Sequence, residues 1–214
     1  MKRIEIAIII PTLNNYNGLI SCINSVVSRI FIPRFFIIDN SKYNQGVSAS
    51  WNYGMKTAYS HNINIYLILN DDITLIEPID RLVQEVINNN LLLISGSHKT
   101  DNDNELEGGG DYTCFACSYS LMDKIGWFDP AFYPAYYEDI DMDRRLKLAE
   151  CKTHKSQFLH YEEQNGIGSH TFMNSRGTPL EKTINDGYKH NKEYYIDKWG
   201  GDIGDEKYST PFNG

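Results

Sequence analysis

The chain has 214 residues, 41% hydrophobic and 22% charged, enough to bury one sizeable core and suited to one large domain rather than two. Lys and Arg number 20 against 28 Asp and Glu, and the net charge of −8 argues against a nucleic-acid backbone or an anionic membrane as the main partner. An anionic ligand would need a metal ion to help hold it.

The first apolar run, Ile4 to Ile10, is interrupted by Glu5 and closed by Pro11. It is too short for a signal-peptide core with its cleavage site, and no later run is longer, so no membrane segment is expected. We read it as a strand, followed by a polar turn at Asn14, Asn15, Asn17 and Gly18. Leu19, Ile20, Ile23, Val26, Val27 and Ile30 then recur at helical spacing, and Pro33 closes that unit. A second strand, Phe35 to Ile38, ends in Asp39-Asn40-Ser41. The segment Gln45 to Tyr59, opened by Gly46 and rich in small residues, suits a helix that something else approaches closely.

The third strand begins at Ile65, and its apolar run stops at Asn70-Asp71-Asp72. Pro78 fits the first turn of a helix through Val83, Val86 and Ile87. Leu91 to Ile94 reads as a short buried strand, Lys99 to Gly110 as a polar surface loop or lid, Tyr112 to Ser120 as a strand and Leu121 to Ile125 as a short helix. An aromatic stretch (Phe132, Tyr133, Tyr136, Tyr137) leads into the acidic helix start Glu138-Asp139-Ile140-Asp141. On that helix Glu138, Asp141 and Arg145 share one stripe, and Asp139 and Asp143 share another with Met142 and Leu146. After Cys151 a strand is expected to about Leu159, ending at His160. A glycine-rich loop to His170 follows, then a last helix from Pro179 to Trp199 and a loose polar tail. The four cysteines (Cys22, Cys114, Cys117, Cys151) are sparse and suggest a reducing, cytoplasmic setting. Cys114 and Cys117 form a C-x-x-C with no second Cys or His pair, which favours structural thiols over a zinc or redox pair.

Acids at the carboxyl tips of successive apolar strands are the recurring signal. In an open α/β sheet ligands bind at those tips. Adjacent carboxylates repel unless a cation or donors offset them, and oxygen ligands suit Mg²⁺ or Mn²⁺. Asn70-Asp71-Asp72 is therefore a candidate divalent-metal site, the alternative being a solvated turn. The acids at Glu138 to Asp141 serve either the helix dipole or proton transfer.

The ordered set of motifs resembles the nucleotide-sugar glycosyltransferases of the GT-A fold, family 2 in particular, over roughly residues 4 to 175. Pro11-Thr12-Leu13-Asn14 is similar to that family's opening turn, and Ile37-Ile38-Asp39-Asn40-Ser41 to its second-strand tip, where the Asp contacts the base. Gly46 through Asn52 and Gly54 looks like its nucleotide-side segment. Asn70-Asp71-Asp72 stands where the family has D-x-D, with Asn70 departing from the pattern, which leaves Asp72 as the metal ligand. Gly126-Trp127-Phe128-Asp129 with Glu138-Asp139-x-Asp141-x-x-Arg144 resembles its acceptor-side motif.

The resemblance implies a single α/β domain over residues 1–204, with a mostly parallel sheet flanked by helices. Its nucleotide half is about 1–98, its acceptor half about 111–204, and 205–214 form a tail or linker, with further domains in a longer parent and the cytoplasm as its location, the host cytoplasm if that parent is viral. It implies an inverting, Mn²⁺- or Mg²⁺-dependent transfer of a hexose or deoxyhexose from a UDP- or dTDP-sugar to a glycan, rhamnosyltransferases being the similar small members. Asp139 would be the general base. Pro11, Thr12, Asn14, Asp39, Asn40, Ser41, Gly46, Asn52, Asn70 and Asp71 would bind the donor, and Asp72, with His160 or His170, the metal. Trp127, Tyr137, Glu138, Asp141 and Arg144 would bind the acceptor, although Trp127 and the tyrosines suit a core equally well. The rival readings are a nucleotidylyltransferase and a non-catalytic nucleotide-sugar or glycan-binding module.

Overall fold

A computed structural model describes residues 3–98, 112–164 and 175–214. The expected loop Lys99 to Gly110, and the loop carrying the candidate ligand His170, lie outside the described residues. Strand β1 (Glu5–Thr12) buries Ile6, Ile8 and Ile10 on one face and Ala7 and Ile9 on the other, so it sits centrally between two layers. The remaining strands are β2 (Ile32–Asp39), β3 (Ile65–Leu69), β4 (Ile73–Leu75), β5 (Leu92–His98), β6 (Cys114–Ser118) and β7 (Lys152–Glu163). They form one sheet in the order β2-β1-β3-β6-β5-β7-β4. Three pairings are parallel and three antiparallel, which leaves five of the seven strands pointing one way.

Helices α1 (Tyr16–Ser25) and α3 (Asp80–Asn88) cover one face through Leu19, Cys22, Leu82, Val83 and Val86. Helices α2 (Val47–Ser60), α4 (Tyr119–Ile125) and α5 (Glu138–Leu148) cover the other through Trp51, Met55, Leu121, Met122, Met142 and Leu146. A third cluster, Phe132, Tyr137, Tyr195 and Trp199, ties the long helix α6 (Pro179–Trp199) to the segment ahead of α5. Cys114 and Cys117 belong to opposite clusters because residues three apart on a strand face opposite sides. All four cysteines are thiols.

Several expectations need correction. Helix α1 ends at Ser25, short of Ile30, because the Asp80 carboxylate captures the following turn: it accepts from Ser28 Oγ at 2.6 Å, from the Arg29 N–H at 3.0 Å and from the Ile30 N–H at 3.1 Å. Pro33 lies inside β2 rather than before it, which an edge strand tolerates. Pro78 precedes α3 instead of occupying its first turn. Strand β7 continues past Leu159 to Glu163 because its second half pairs with β4.

The tail after Gly200 is docked, not loose. The N–H groups of Lys207 and Tyr208 both donate to the Trp199 carbonyl, and Tyr195 Oη donates to Glu206 at 2.6 Å.

Burial would raise the Asp80 carboxyl, but the Ser28 hydroxyl and the two N–H groups outweigh it and hold the group below the usual carboxylate range. Asp80→Ala should cost about 3 kcal/mol of unfolding free energy. The Asp80 contribution is present above the ordinary aspartate range and lost as pH falls through the depressed folded value, so the gap in urea midpoint between wild type and variant should close in acid.

Candidate active site

The chain passes from β1 through β2 on one side and then to β3 on the other, so the crevice between β1 and β3 is the sheet's switch point. A cavity of about 580 Å³ opens there. Its walls include Pro11 and Thr12 from the β1 tip, Asn40 from the β2 tip and Asn70, Asp71 and Asp72 from the turn after β3. Across from these stand Tyr136, Glu138 and Asp139 at the start of α5. Two acidic clusters some 65 residues apart in sequence thus share one cavity. Gly46, also in the wall, has φ +83°, and a Cβ there would lie 2.9 Å from the Tyr133 ring and 3.0 Å from the Pro134 carbonyl. Only glycine serves both demands.

The turn holding Asp71 and Asp72 is fixed from two sides. Asn15 caps α1 by accepting from the Gly18 N–H at 3.3 Å, and its Nδ2 donates to the Asp71 carbonyl and carboxylate, both at 3.2 Å. Gln164 closes the other side: its N–H donates to the Asp72 carbonyl at 2.8 Å and its Nε2 to the Ile73 carbonyl at 2.8 Å and the Gly18 carbonyl at 3.2 Å. The donor set at this tip is all hard oxygen, which fits Mg²⁺ or Mn²⁺. Such ions need only one or two protein carboxylates when substrate phosphates and water complete the shell. Among the described residues no three His, Cys, Asp or Glu side chains gather as a self-sufficient metal cage.

At the start of α5, burial, helped by the neighbouring Asp139 charge, pushes the Glu138 carboxyl up to about 8. Burial likewise raises Asp139. Glu138 is 6% exposed, and its Oε2 has no hydrogen-bond partner among the described residues. Two further buried wall residues share that condition, Thr12 at Oγ1 and Trp51 at Nε1. Each such orphan costs about 1–3 kcal/mol, and clusters of them are a mark of functional sites. The backbone ahead of the acids is strained as well: Tyr136 and Tyr137 are both left-handed, at φ 75° and 74°.

Of the residues picked out from sequence, Pro11, Thr12, Asn40, Gly46, Asn70, Asp71, Asp72, Glu138 and Asp139 line the cavity. Others do not. Asp39 is exposed at the β2 tip, where it accepts from the Ser41 N–H and from Tyr16 Oη, and Asn14 and Ser41 also lie outside the wall. Asn52 is withdrawn from the donor side because its amide is spent on Phe128, donating to the carbonyl at 2.7 Å and accepting from the N–H at 3.1 Å. Asp141 is fully buried and accepts from Lys198 Nζ at 2.7 Å, Arg145 Nε at 2.9 Å and Trp199 Nε1 at 3.0 Å, so it is a core residue rather than an acceptor contact. Arg144 likewise serves the tail, donating to the Tyr208 carbonyl at 2.8 Å and pairing with Glu206 at 3.7 Å.

Tyr137 packs on Tyr188 and Tyr195, and Trp127 sits under Lys56 against Tyr119, both outside the cavity wall. His160 is turned to Glu77, 3.3 Å away, and is not a wall residue. Sequence reasoning missed Trp51, Tyr112, Pro134, Lys155, Leu180 and Ile184. Lys155 is the only Lys or Arg in the wall among the described residues. Apart from Trp51, which lies inside the Gly46–Asn52 segment, none of these carried a local signal, since each reaches the cavity through tertiary packing.

The Glu138 carboxyl is raised in the folded chain, so its contribution to stability is fully present below the ordinary glutamate value and is lost as pH rises toward about 8. Glu138→Gln should therefore melt at a similar temperature to wild type near pH 4.5, the ordinary value, and several degrees higher near pH 8. A pH-independent difference in scanning calorimetry would contradict this.

No protein-family model matches the chain, and no curated protein matches it. Solved structures do. A crystal structure of GalNAc-T7 with UDP, GalNAc and Mn²⁺ superposes with a TM-score of 0.60 at 11% identity, over 92% of this chain and 50% of that one. The catalytic domain of Drosophila beta1,4-galactosyltransferase 7 in complex with xylobiose superposes with a TM-score of 0.54 at 15% identity, over 72% of this chain and 65% of that one. The chain thus spans half the length of the first and just under two thirds of the second. Identities this low speak to architecture alone. That architecture, a mostly parallel sheet flanked by helices, is the GT-A fold.

Proposed function

We propose that the chain is a glycosyltransferase that moves a sugar from a nucleoside diphosphate to an acceptor hydroxyl. The observation that carries this reading is the meeting of Asn70–Asp72 and Glu138–Asp139 in one cavity at the switch point of a GT-A sheet. The donor seat is assigned to Pro11, Thr12, Asn40, Gly46, Asn70 and Asp71. Mg²⁺ or Mn²⁺, held by Asp72 with Asp71, would neutralise the departing diphosphate as a Lewis acid. Asp139 takes the proton of the acceptor hydroxyl. The acceptor oxygen bonds to the anomeric carbon as the bond from that carbon to the phosphate oxygen breaks, and the bonding pair leaves with the diphosphate. Burial raises Asp139 and so makes it a better base. Glu138, whose carboxyl is raised to about 8, keeps its proton near neutrality and offers a hydrogen bond to substrate.

Single displacement with inversion suits this arrangement, since the acids of the cavity not assigned to the metal stand in one group at the start of α5. The finer assignment is a family 2-like enzyme using a UDP- or dTDP-hexose or deoxyhexose, such as glucose or rhamnose, in the cytoplasm, with a glycan as acceptor. A nucleotidylyltransferase has less support, because Pro11 to Gly18 contains no Lys or Arg to cradle a triphosphate. No described helix is long and apolar enough to cross a membrane.

Titration calorimetry with UDP should show binding that needs Mn²⁺ and weakens sharply in Asp72→Ala; unchanged affinity with EDTA and in that variant would remove the metal from the site. Asp139→Asn should retain UDP binding yet lose about 10²–10⁴-fold in transfer rate. A product that keeps the donor's anomeric configuration by NMR would rule out single displacement.

A further inference from the structure

The net charge of −8 is unevenly spread along the chain. Residues 1–45 hold five Lys or Arg against two Asp or Glu, a net of +3, so the remaining residues carry −11. Both acids of that stretch are engaged: Glu5 faces Arg34 at 4.0 Å, and Asp39 accepts from the Ser41 N–H at 2.9 Å and from Tyr16 Oη at 3.2 Å. The same stretch is apolar on its outside. It is 45 of 214 residues, yet among the described residues it holds nine of the nineteen large hydrophobic side chains that stay exposed.

These side chains gather on one corner of the fold. The parallel register sets Phe35 beside Ile8 and Ile37 beside Ile10, which are buried on the α1 side of the sheet, so the exposed Phe35 and Ile37 stand on that side too. Ile4 precedes Ile6 by two residues and shares the side; its carbonyl accepts from the Ile32 N–H at 2.9 Å, where β2 begins. From α1, Tyr16 reaches β2 through Asp39, and Ile20, one turn on and 57% exposed, follows on the same stripe. Ile30, 56% exposed, lies between the turn bound by Asp80 and β2. Exposed cations adjoin this surface in the chain: Arg3 beside Ile4, Arg29 beside Ile30, Arg34 beside Phe35, and Lys42 past the β2 tip.

Apolar area of this extent marks an interaction surface, and a basic border on an acidic molecule selects an anionic partner. A folded protein would have to match a helix flank, a turn and a strand edge at once, and pairing with the strand is interrupted at Pro33. Hydrocarbon has no shape to match, and headgroup phosphates accept from guanidinium and ammonium groups.

We propose that this corner rests on the surface of an anionic lipid bilayer, with Ile4, Ile20, Ile30, Phe35 and Ile37 entering the boundary between headgroups and acyl chains and Arg3, Arg29, Arg34 and Lys42 meeting the phosphates. The contact is peripheral and does not depend on the transferase reading.

The test is sedimentation of the full chain with vesicles of phosphatidylcholine alone and of phosphatidylcholine mixed with phosphatidylglycerol. Binding to the mixed vesicles should be at least about tenfold tighter and should fall as salt is raised. The double variant Arg3→Gln, Arg29→Gln should lose about tenfold on mixed vesicles. Ile20→Ser with Ile30→Ser should lose about tenfold as well, because two apolar side chains no longer enter the boundary. Ile203→Ser, on an exposed isoleucine between Asp202 and Asp205 in the tail, should bind as wild type does. All these sites are exposed, so thermal melts should stay close to wild type and show that the variants are folded. Failure of the wild type to bind mixed vesicles, equal binding to both vesicle types, wild-type binding by either double variant, or an equal loss in Ile203→Ser would overturn the proposal. If vesicles are ignored and Ile20→Ser with Ile30→Ser instead dissolves a dimer in sedimentation velocity, the face belongs to a second copy and the lipid assignment falls.

Discussion

A single buried ammonium holds the C-terminal half of the chain together. Lys198, 5% exposed, places Nζ 2.7 Å from both Asp129 and Asp141. Asp141 also receives Trp199 and Arg145, and Arg145 reaches on to the carbonyls of Ile125 and Gly126 at 3.0 Å. Asp129 receives Tyr194 Oη at 3.0 Å. Three segments distant in sequence, the Gly126–Asp129 turn, α5 and α6, thus close on one charge. Burial would raise the Asp129 carboxyl, yet the hydrogen bonds from Lys198 and the Ala131 N–H, with the Lys198 charge, hold it below the ordinary range. Buried charges are tolerated only when their partners are present, and removing one partner from such a group typically costs about 3–5 kcal/mol. Asp141 follows Asp139 by two residues, so whatever holds Asp141 also fixes the acidic start of the helix.

The loop into α5 carries the opposite kind of demand. Consecutive left-handed tyrosines cost about 1–3 kcal/mol each, and they persist because Asn191 occupies the carbonyls of Ala135 and Tyr136 while Tyr137 is wedged against Tyr195 and Tyr188. The strain turns the chain sharply enough for Glu138 and Asp139 to enter the cavity with the helix N-terminus behind them. Both carboxyls are raised there by burial.

Much of the architecture was legible in the residue pattern. The isoleucine run of β1 and the apolar run of β3 read as strands because each is buried on both faces, and the bounds of α6 fall at Pro179 and Trp199, as the pattern indicated. The acids of the β3 tip and of α5 were visible as candidates for the same reason: charge at the end of an apolar element is conspicuous. Which of them face the cavity was not legible. Asp141, Arg144 and Asn52 have the chemistry of site residues and are consumed by internal partners. The wall contributed by Trp51, Lys155 and Leu180 depends on how distant helices and strands pack, and no local period encodes that. The early end of α1 belongs to the same class, since the competing acceptor, Asp80, is 52 residues away from Ser28.

The proline inside β2 bears on how the molecule behaves in company. β2 is the last strand on its side of the sheet, and Phe35 and Ile37 are 40% and 37% exposed there, the kind of edge that recruits a strand from another copy. Its N–H groups alternate in direction. Those of Ile32 and Asn40 point inward to β1, where they donate to Ile4 and Thr12, so position 33 faces outward. Proline there deletes one of the outward donors, and the charged Arg34 stands beside it. A strand arriving from solvent meets a gap in the ladder near its first rung, which keeps an apolar, open-ended sheet from growing by addition of its own kind.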